Sequence, residues 1–205
     1  MLKGKKEIET VLIALSEQLE AEGVKQLEMV VCGGAALNIL GYVERTTKDV
    51  DVIAFAKRDK NGAVILTKAS PLNPALLSAA MRVQKDFDLP DNWLNAGPAS
   101  VMDFGLPEGL MDRVETRTYG KNLAIHFLSR YDQIHFKLHA TVDQSGGKHY
   151  DDLTALKPTE KELEEAARWS MTHDPSEGYR EVLKDFLEQT GHKNVAEKLQ
   201  RKFFR

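Results

Sequence analysis

The chain has 205 residues, of which 42% are hydrophobic and 29% are charged, enough for one large domain or for one domain with a helical appendage. Its single cysteine, Cys32, excludes an internal disulfide framework and a cysteine-rich zinc site, and it favours a reducing compartment. The 28 lysines and arginines nearly balance the 31 aspartates and glutamates, giving a net charge of -3, so any site for a polyanion must be local. No apolar run approaches the ~18 residues of a membrane-spanning helix, and the N-terminal sequence lacks the apolar core of a signal peptide. We therefore expect a cytoplasmic protein without a membrane partner.

The first part of the chain alternates helix and strand patterns. Apolar residues at spacings of three and four predict an amphipathic helix over 5–22. A short buried strand follows at Leu27–Cys32, and Gly33-Gly34 is then the turn into a short helix over 35–40. A second strand is predicted over Asp49–Phe55, where acidic and apolar residues alternate before an apolar end.

One more helix and one long loop come next. Residues 74–87 can form a helix whose first turn accommodates a proline, and we expect Leu77, Met81 and Val83 to face inward. The segment 89–109 is rich in proline, glycine, asparagine and aspartate, and it is too long and irregular for a plain connection. Loops of this length often lie over a functional site.

The pattern changes near residue 130. Residues 113–119 and 123–128 flank a turn and predict a β-hairpin, after which only helix patterns remain. The expected C-terminal helices cover 130–142, 163–171, 178–188 and 195–203. We therefore predict a mixed α/β domain over residues 1–130 and a helical region over residues 131–205 packed on it.

Two short motifs carry the chemistry. Asp49 and Asp51 lie two apart on a strand, so they project to the same face with Cα atoms ~6–7 Å apart, where a divalent cation can bridge them. Gly33 and Gly34 open a helix with bare backbone N–H groups that can hold a phosphate. Each motif alone is also common as a tight turn or a solvated strand edge. Their joint occurrence, at a spacing that suits a helix, a loop and a return strand, points to phosphoryl or nucleotidyl transfer.

These motifs support a resemblance to a known family. The segments GGAALNILG at residues 33–41 and RTTKDVDV at residues 45–52 resemble the signature of the DNA polymerase β-type nucleotidyltransferase superfamily. The resemblance is to its minimal bacterial branch, related to AbiEii-like toxins. Residues 128–140 and 148–153 are similar to a lysine-containing helix and a following Asp-Leu element of that branch. The implied fold is a nucleotidyltransferase-like α/β mixed sheet flanked by helices, with a C-terminal helical part.

The resemblance also implies a nucleotide and metal site in this chain. Gly33 and Gly34 would hold the phosphates of an NTP. Asp49 and Asp51 would be catalytic and would ligate Mg²⁺ or Mn²⁺.

Four further residues are assigned around that site. The resemblance implies that Lys137 neutralises phosphate charge during catalysis and that Asp152 is the family's downstream aspartate in nucleotide binding. Arg45 could pair with one of the two motif aspartates or contact phosphate. Thr47 could begin the strand or hydrogen-bond Asp49.

The wider superfamily commonly has a third metal carboxylate on an adjacent strand. Asp112 and Glu115 are the candidates for it here. In the long loop, Trp93 could stack on a nucleobase and Asn95 could read a base edge, although core packing is the simpler interpretation of Trp93.

Two hypotheses of different classes follow. The first is a metal-dependent nucleotidyltransferase that moves an NMP from an NTP to a hydroxyl of RNA, protein or a small molecule. By analogy with the toxin branch, it could belong to a toxin–antitoxin system with an antitoxin partner. The second is a catalytically inactive protein of the same fold that acts as a binding or partner-interaction module, which the missing third carboxylate favours.

Overall fold

The computed structural model describes residues 1–144 and 147–203, and it describes side chains up to residue 200. The chain divides into two compact units, the first spanning Met1–Ser129 and the second beginning at Arg130. Within the described ranges, no helix has the length and apolar character needed to cross a membrane.

A mixed β-sheet of six strands forms the centre of the first unit. The strands of this unit are β1 (Leu2–Lys3), β2 (Leu27–Cys32), β3 (Thr46–Thr47), β4 (Val50–Arg58), β5 (Val64–Lys68), β6 (Leu94–Asn95), β7 (Glu115–Tyr119) and β8 (Leu123–Phe127). The main sheet has the order β5-β4-β2-β8-β7, and β6 adds to β4. The β2–β8 and β4–β6 pairs are parallel, whereas the other pairs are antiparallel. Separately, β1 pairs with β3.

Helices flank this sheet, as the sequence predicts. They are α1 (Gly4–Ala21), α2 (Gly33–Ile39), α3 (Pro74–Asp86), a 3₁₀ helix (Gly97–Asp103) and α4 (Leu110–Arg113). The apolar stripe of α1 is buried in a core that also contains Val31 of β2 and Phe127 of β8. The predicted α/β fold with a mixed sheet flanked by helices is thereby confirmed, and the sheet is open.

The inward face of α3 differs from the expectation. Leu77 and Met81 are 43% and 67% exposed, so their predicted inward orientation is wrong, whereas Val83 is buried as expected. The buried positions include Ala79 and Ala80, whose small side chains allow a close approach to the core. The prediction favoured the larger apolar residues, although residue size does not fix which face of a helix is covered.

The long segment 89–109 contains regular structure. It supplies β6 and the 3₁₀ helix, and Trp93 just before β6 is a core residue that is 1% exposed. The indole Nε1 of Trp93 donates to the carbonyl oxygen of Ala80 at 3.0 Å. Core packing is therefore confirmed for Trp93, and a base-stacking role is wrong.

The described residues of the second unit form helices joined by short connections. Its helices are α5 (Arg130–Asp143), α6 (Lys148–Ala155), α7 (Glu160–His173), α8 (Glu177–Gln189) and α9 (Lys193–Phe203). Thr159 and Glu162 form the predicted capping box at the start of α7. The side chain of Ser176 caps α8 by accepting the N–H of Tyr179.

Glu162 also joins α7 to the start of α5. Its carboxylate accepts hydrogen bonds from the guanidinium of Arg130 and from the backbone N–H of Thr159. The Arg130 contact, together with the Thr159 bonds, lowers the pKa of Glu162 from 4.5 to about 2. The ionised carboxylate is therefore favoured in the folded state.

This shift predicts a pH-dependent contribution to stability. The contribution of Glu162 is present above its ordinary pKa of 4.5 and is lost as the pH falls toward 2. We expect Glu162→Gln to lower the free energy of unfolding at neutral pH, with a penalty that shrinks progressively below about pH 5. Urea unfolding at a series of pH values measures this. The exposed Glu181 of α8 provides the control Glu181→Gln, and a penalty for Glu162→Gln that is constant with pH would contradict the prediction.

Candidate functional site

The turn between β2 and α2 lies beside the predicted acidic strand. In the antiparallel pairing of β2 with β4, Cys32 is opposite Asp51. The chain then turns into α2 at Gly33, whose φ of +76° is a left-handed conformation that favours glycine. The strand register therefore places one motif aspartate at the glycine turn.

The carboxylate of Asp51 contacts the backbone of Gly33 directly. A Cβ atom built on Gly33 would lie 2.3 Å from Asp51 Oδ2, a distance that no real side chain could occupy. Position 33 thus requires glycine for two reasons, the left-handed backbone conformation and the close Asp51 carboxylate. Asp51 therefore lies close to the glycine turn, as the sequence predicts.

A cationic side chain lies against the second glycine. A Cβ atom on Gly34 would be 2.7 Å from Thr47 Oγ1 and 3.0 Å from Arg45 Nη2. A second guanidinium nitrogen, Arg45 Nη1, donates to the carbonyl oxygen of Thr46 at 3.0 Å. The two glycines therefore face opposite charges, a carboxylate at Gly33 and a guanidinium at Gly34.

Asp49 lies just outside the strand that was predicted to contain it. The strand predicted over Asp49–Phe55 begins at Val50 and continues to Arg58. Thr47 Oγ1 lies 3.4 Å from the carbonyl oxygen of Asp49 and 3.5 Å from its Oδ1, long contacts that hold the segment weakly. Thr47 ends β3 and does not begin the acidic strand, which starts at Val50, so only its predicted contact with Asp49 is present.

Asn95 is a member of this site whose contact was not predicted. Strand β6 places it opposite Asp51, and Asn95 Nδ2 donates to Asp51 Oδ1 at 3.1 Å. The oxygen of the same amide accepts the backbone N–H of Gly97 at 2.8 Å, which fixes the amide orientation. The amide that could have read a base edge therefore holds a carboxylate. An asparagine two residues before Gly-Pro indicates a turn in which its side chain accepts a backbone N–H. A two-residue strand, however, has no sequence pattern that would indicate Asp51 as the partner of the amide.

The candidates for a third carboxylate do not join this site. Glu115 is on β7, three strand spacings or roughly 14 Å from β4, and it pairs with Arg117. In the described part of the chain, no three or more His, Cys, Asp or Glu side chains form a group that could hold a metal ion. Neither Asp112 nor Glu115 therefore completes a three-carboxylate cluster with Asp49 and Asp51.

The remaining two predicted site residues are in the second unit and bind each other. Lys137 Nζ of α5 lies 2.8 Å from Asp152 Oδ2 of α6, and the two side chains are 6% and 1% exposed. The ion pair explains how both charges are tolerated in the interior. Their assigned roles in catalysis and nucleotide binding stay predictions.

The contact at Gly33 can be tested against a matched glycine. Gly41 has the same φ of +76°, but a Cβ there would meet no atom within 4 Å. We expect Gly41→Ala to cost about 1–2 kcal/mol of unfolding free energy through backbone strain alone. Gly33→Ala should cost more because the Asp51 carboxylate must also move. Urea unfolding compares the two, and equal costs would contradict the contact.

The Lys137–Asp152 pair predicts strong coupling between two substitutions. Asp152→Leu leaves a buried unpaired ammonium group, so we expect it to lower the unfolding free energy by about 3–5 kcal/mol. The double variant Lys137→Met with Asp152→Leu removes both charges and should recover most of that loss. Unfolding measurements on the two single variants and the double variant give the coupling energy, and additive losses would disprove it.

Comparison with known proteins gives one match. A family model described as "Nucleotidyltransferase of unknown function (DUF6036)" matches residues 10–147, about two thirds of the chain. The matched region includes the glycine turn, both motif aspartates and Lys137. No curated protein and no solved structure matches the chain. The chain therefore belongs to this family of nucleotidyltransferases of unknown function.

Proposed function

We propose that this protein is a divalent-metal-dependent enzyme that transfers an NMP from an NTP to an acceptor hydroxyl. The observation that carries the proposal is the pair of contacts at the glycine turn, Asp51 against Gly33 and Arg45 against Gly34. A carboxylate that can bind a cation and a guanidinium that can bind a phosphate thus lie against two consecutive glycines of the turn. Membership in a nucleotidyltransferase family supports the reaction class.

The donor atoms fit Mg²⁺ or Mn²⁺. Magnesium prefers oxygen ligands, and proteins usually bind it through one or two carboxylates while substrate phosphates and waters complete its shell. Asp49 and Asp51 would hold the ion. Because residue 33 is a glycine, no Cβ atom crowds Asp51 Oδ2. When bound, the ion supplies positive charge that offsets the charge of the phosphates. A two-carboxylate site is therefore sufficient for this proposal.

The chain's own residues position and neutralise the nucleotide. Asn95 holds Asp51 Oδ1, so the carboxylate needs little reorientation when substrate arrives. Arg45 at Gly34 would donate charge-assisted hydrogen bonds to the phosphates, which guanidinium groups bind with good geometry. The absence of side chains at both glycines lets the Asp51 carboxylate and the Arg45 guanidinium lie close to the backbone of the turn.

The transfer itself exchanges one phosphorus–oxygen bond for another. The oxygen of the acceptor hydroxyl forms a bond to the α-phosphorus of the NTP. The bond from that phosphorus to the oxygen shared with the β-phosphate breaks, and its electron pair leaves with pyrophosphate. The hydroxyl proton is released to solvent. The work of the protein is chiefly positioning and charge stabilisation, as in other phosphoryl-group transfers.

The family resemblance assigns Lys137 to phosphate neutralisation and Asp152 to nucleotide binding, and both assignments stay proposals. Within the second unit the two side chains form a buried ion pair. The double variant Lys137→Met with Asp152→Leu separates the assigned role of Lys137 from stability, because it keeps a buried apolar pair while it removes the charge. A role in a toxin–antitoxin system, with an antitoxin partner, stays a prediction from the family resemblance.

Substitution of Asp51 tests the proposed activity. We expect wild-type protein to bind ATP or another NTP only with Mg²⁺ or Mn²⁺, and Asp51→Asn to weaken this binding at least tenfold because it removes a charged metal ligand. Calorimetric titration of each NTP, with and without metal, measures the affinity. Incubation with α-labelled NTP and cellular RNA or protein then shows whether label is transferred.

Two further variants sharpen this test. Asp86→Asn removes an exposed carboxylate at the end of α3 and should leave nucleotide affinity unchanged. Asn95→Ala should give an intermediate loss, since Asp51 remains but is no longer held. Metal-independent NTP binding, or binding that survives in Asp51→Asn, would reject the transferase and favour the inactive binding module.

A further inference from the structure

A concave surface lies in the first unit, where the beginning of α1 meets the segment that follows α2. It is a cleft of about 490 Å³, within the usual size range of ligand sites. The walls include Lys3, Lys5 and Lys6 from the start of the chain, and Tyr42 and Glu44 from the segment after α2. All five residues are exposed. We call this surface the basic cleft.

The basic cleft concentrates positive charge in a protein of net charge -3. Three ammonium groups line it against one carboxylate, that of Glu44. Across the residues that the structure describes, the side chains of Lys3, Lys5 and Lys6 form no ion pair with a carboxylate. By contrast, Lys68 is paired with Asp103. Unpaired ammonium groups that line one cleft are suited to a chain of phosphates.

An aromatic ring completes the recognition chemistry. Tyr42 lies in the wall of the cleft and is 36% exposed. Positive grooves with exposed aromatic rings bind single-stranded nucleic acid, because the cations follow the backbone while unpaired bases stack on the rings. A duplex keeps its bases stacked on each other and gains less from such a ring. The combination favours a single strand.

The basic cleft shares a wall with the glycine turn. Asn38 lines the cleft and is 3% exposed, and its Nδ2 donates to the carbonyl oxygen of Gly34 at 2.9 Å. Its Oδ1 accepts the backbone N–H of Arg45 at 3.2 Å. On the same wall, Lys3 pairs with Thr46 in the β1–β3 ladder. Asn38 therefore connects the wall of the cleft to the glycine turn and to Arg45.

We propose that the basic cleft binds the sugar–phosphate backbone of a single-stranded nucleic acid, and that a terminal hydroxyl of this strand is the acceptor of the nucleotidyl group. The inference rests on the proposed transferase function and names its acceptor class. The acceptor oxygen bonds to the α-phosphorus, pyrophosphate leaves with the electron pair of the broken bond, and the proton goes to solvent. The strand gains one nucleotide.

Binding measurements without NTP test the cleft directly. Fluorescence anisotropy would compare a short labelled RNA, DNA of the same sequence and the corresponding RNA duplex over a range of salt concentrations. Three lysine–phosphate contacts predict a slope of about -2 for log K against log salt with a single strand. The triple variant Lys3→Ala, Lys5→Ala, Lys6→Ala should weaken binding and bring this slope toward zero. Comparison of the affinities for RNA and for DNA of the same sequence shows which kind of strand is preferred.

Matched variants exclude a general effect of charge. Lys25→Ala, Lys57→Ala, Lys60→Ala removes three exposed lysines of the same unit from outside the cleft, and it should bind like wild type. Tyr42→Ala should lose about tenfold in affinity, whereas Tyr42→Phe keeps the stacking ring and should retain it. Circular dichroism checks that each variant is folded.

The outcomes separate the cleft from the transferase. Equal weakening by the two triple variants, or a duplex bound as tightly as the single strand, would overturn the proposal for the cleft. If label from an NTP then appears only on protein or on small molecules, the transferase stands and the acceptor class fails. If single strands bind the cleft but no NTP binds with metal, the transferase fails instead, and acceptor use is overturned with it.

Discussion

The contact between the Asp51 carboxylate and the bare backbone of Gly33 is the constraint on which the site depends. It exists because β2 and β4 are antiparallel neighbours in a register that sets Cys32 opposite Asp51. A register shift of one residue would turn Asp51 to the other face of the sheet and would break the contact. The same β2–β4 register therefore determines both the pairing at the centre of the sheet and the position of the Asp51 carboxylate in the site.

Much of this arrangement follows from local sequence patterns. The strand at Leu27–Cys32, the glycine turn and the amphipathic α1 each carry a periodicity or a turn residue that has few structural alternatives. The acidic strand is predicted as well, although it begins at Val50 and leaves Asp49 just outside it. These features are encoded within a few residues of each other, so one sequence is enough to predict them.

Other features depend on contacts between distant segments. Nothing near Asn95 indicates that its amide will meet Asp51, since β6 is too short for a periodic pattern and its pairing is set by the fold. The exposed Leu77 and Met81 of α3 show the same limit, because the covered face of a helix depends on what packs against it. The mutual pairing of Lys137 and Asp152 is likewise a consequence of how α5 and α6 pack.

The position of Trp93 links the hydrophobic core to the acidic site. Its indole is anchored to Ala80 of α3, its carbonyl oxygen accepts the N–H of Val50, and two residues later the chain presents Asn95 to Asp51. The Asn95 amide is thus supported by the buried ring two residues before it and by the Gly97 N–H two residues after it. Repacking of α3 around Trp93 would accordingly change how firmly Asp51 is held, without any change at Asp51 or Asn95.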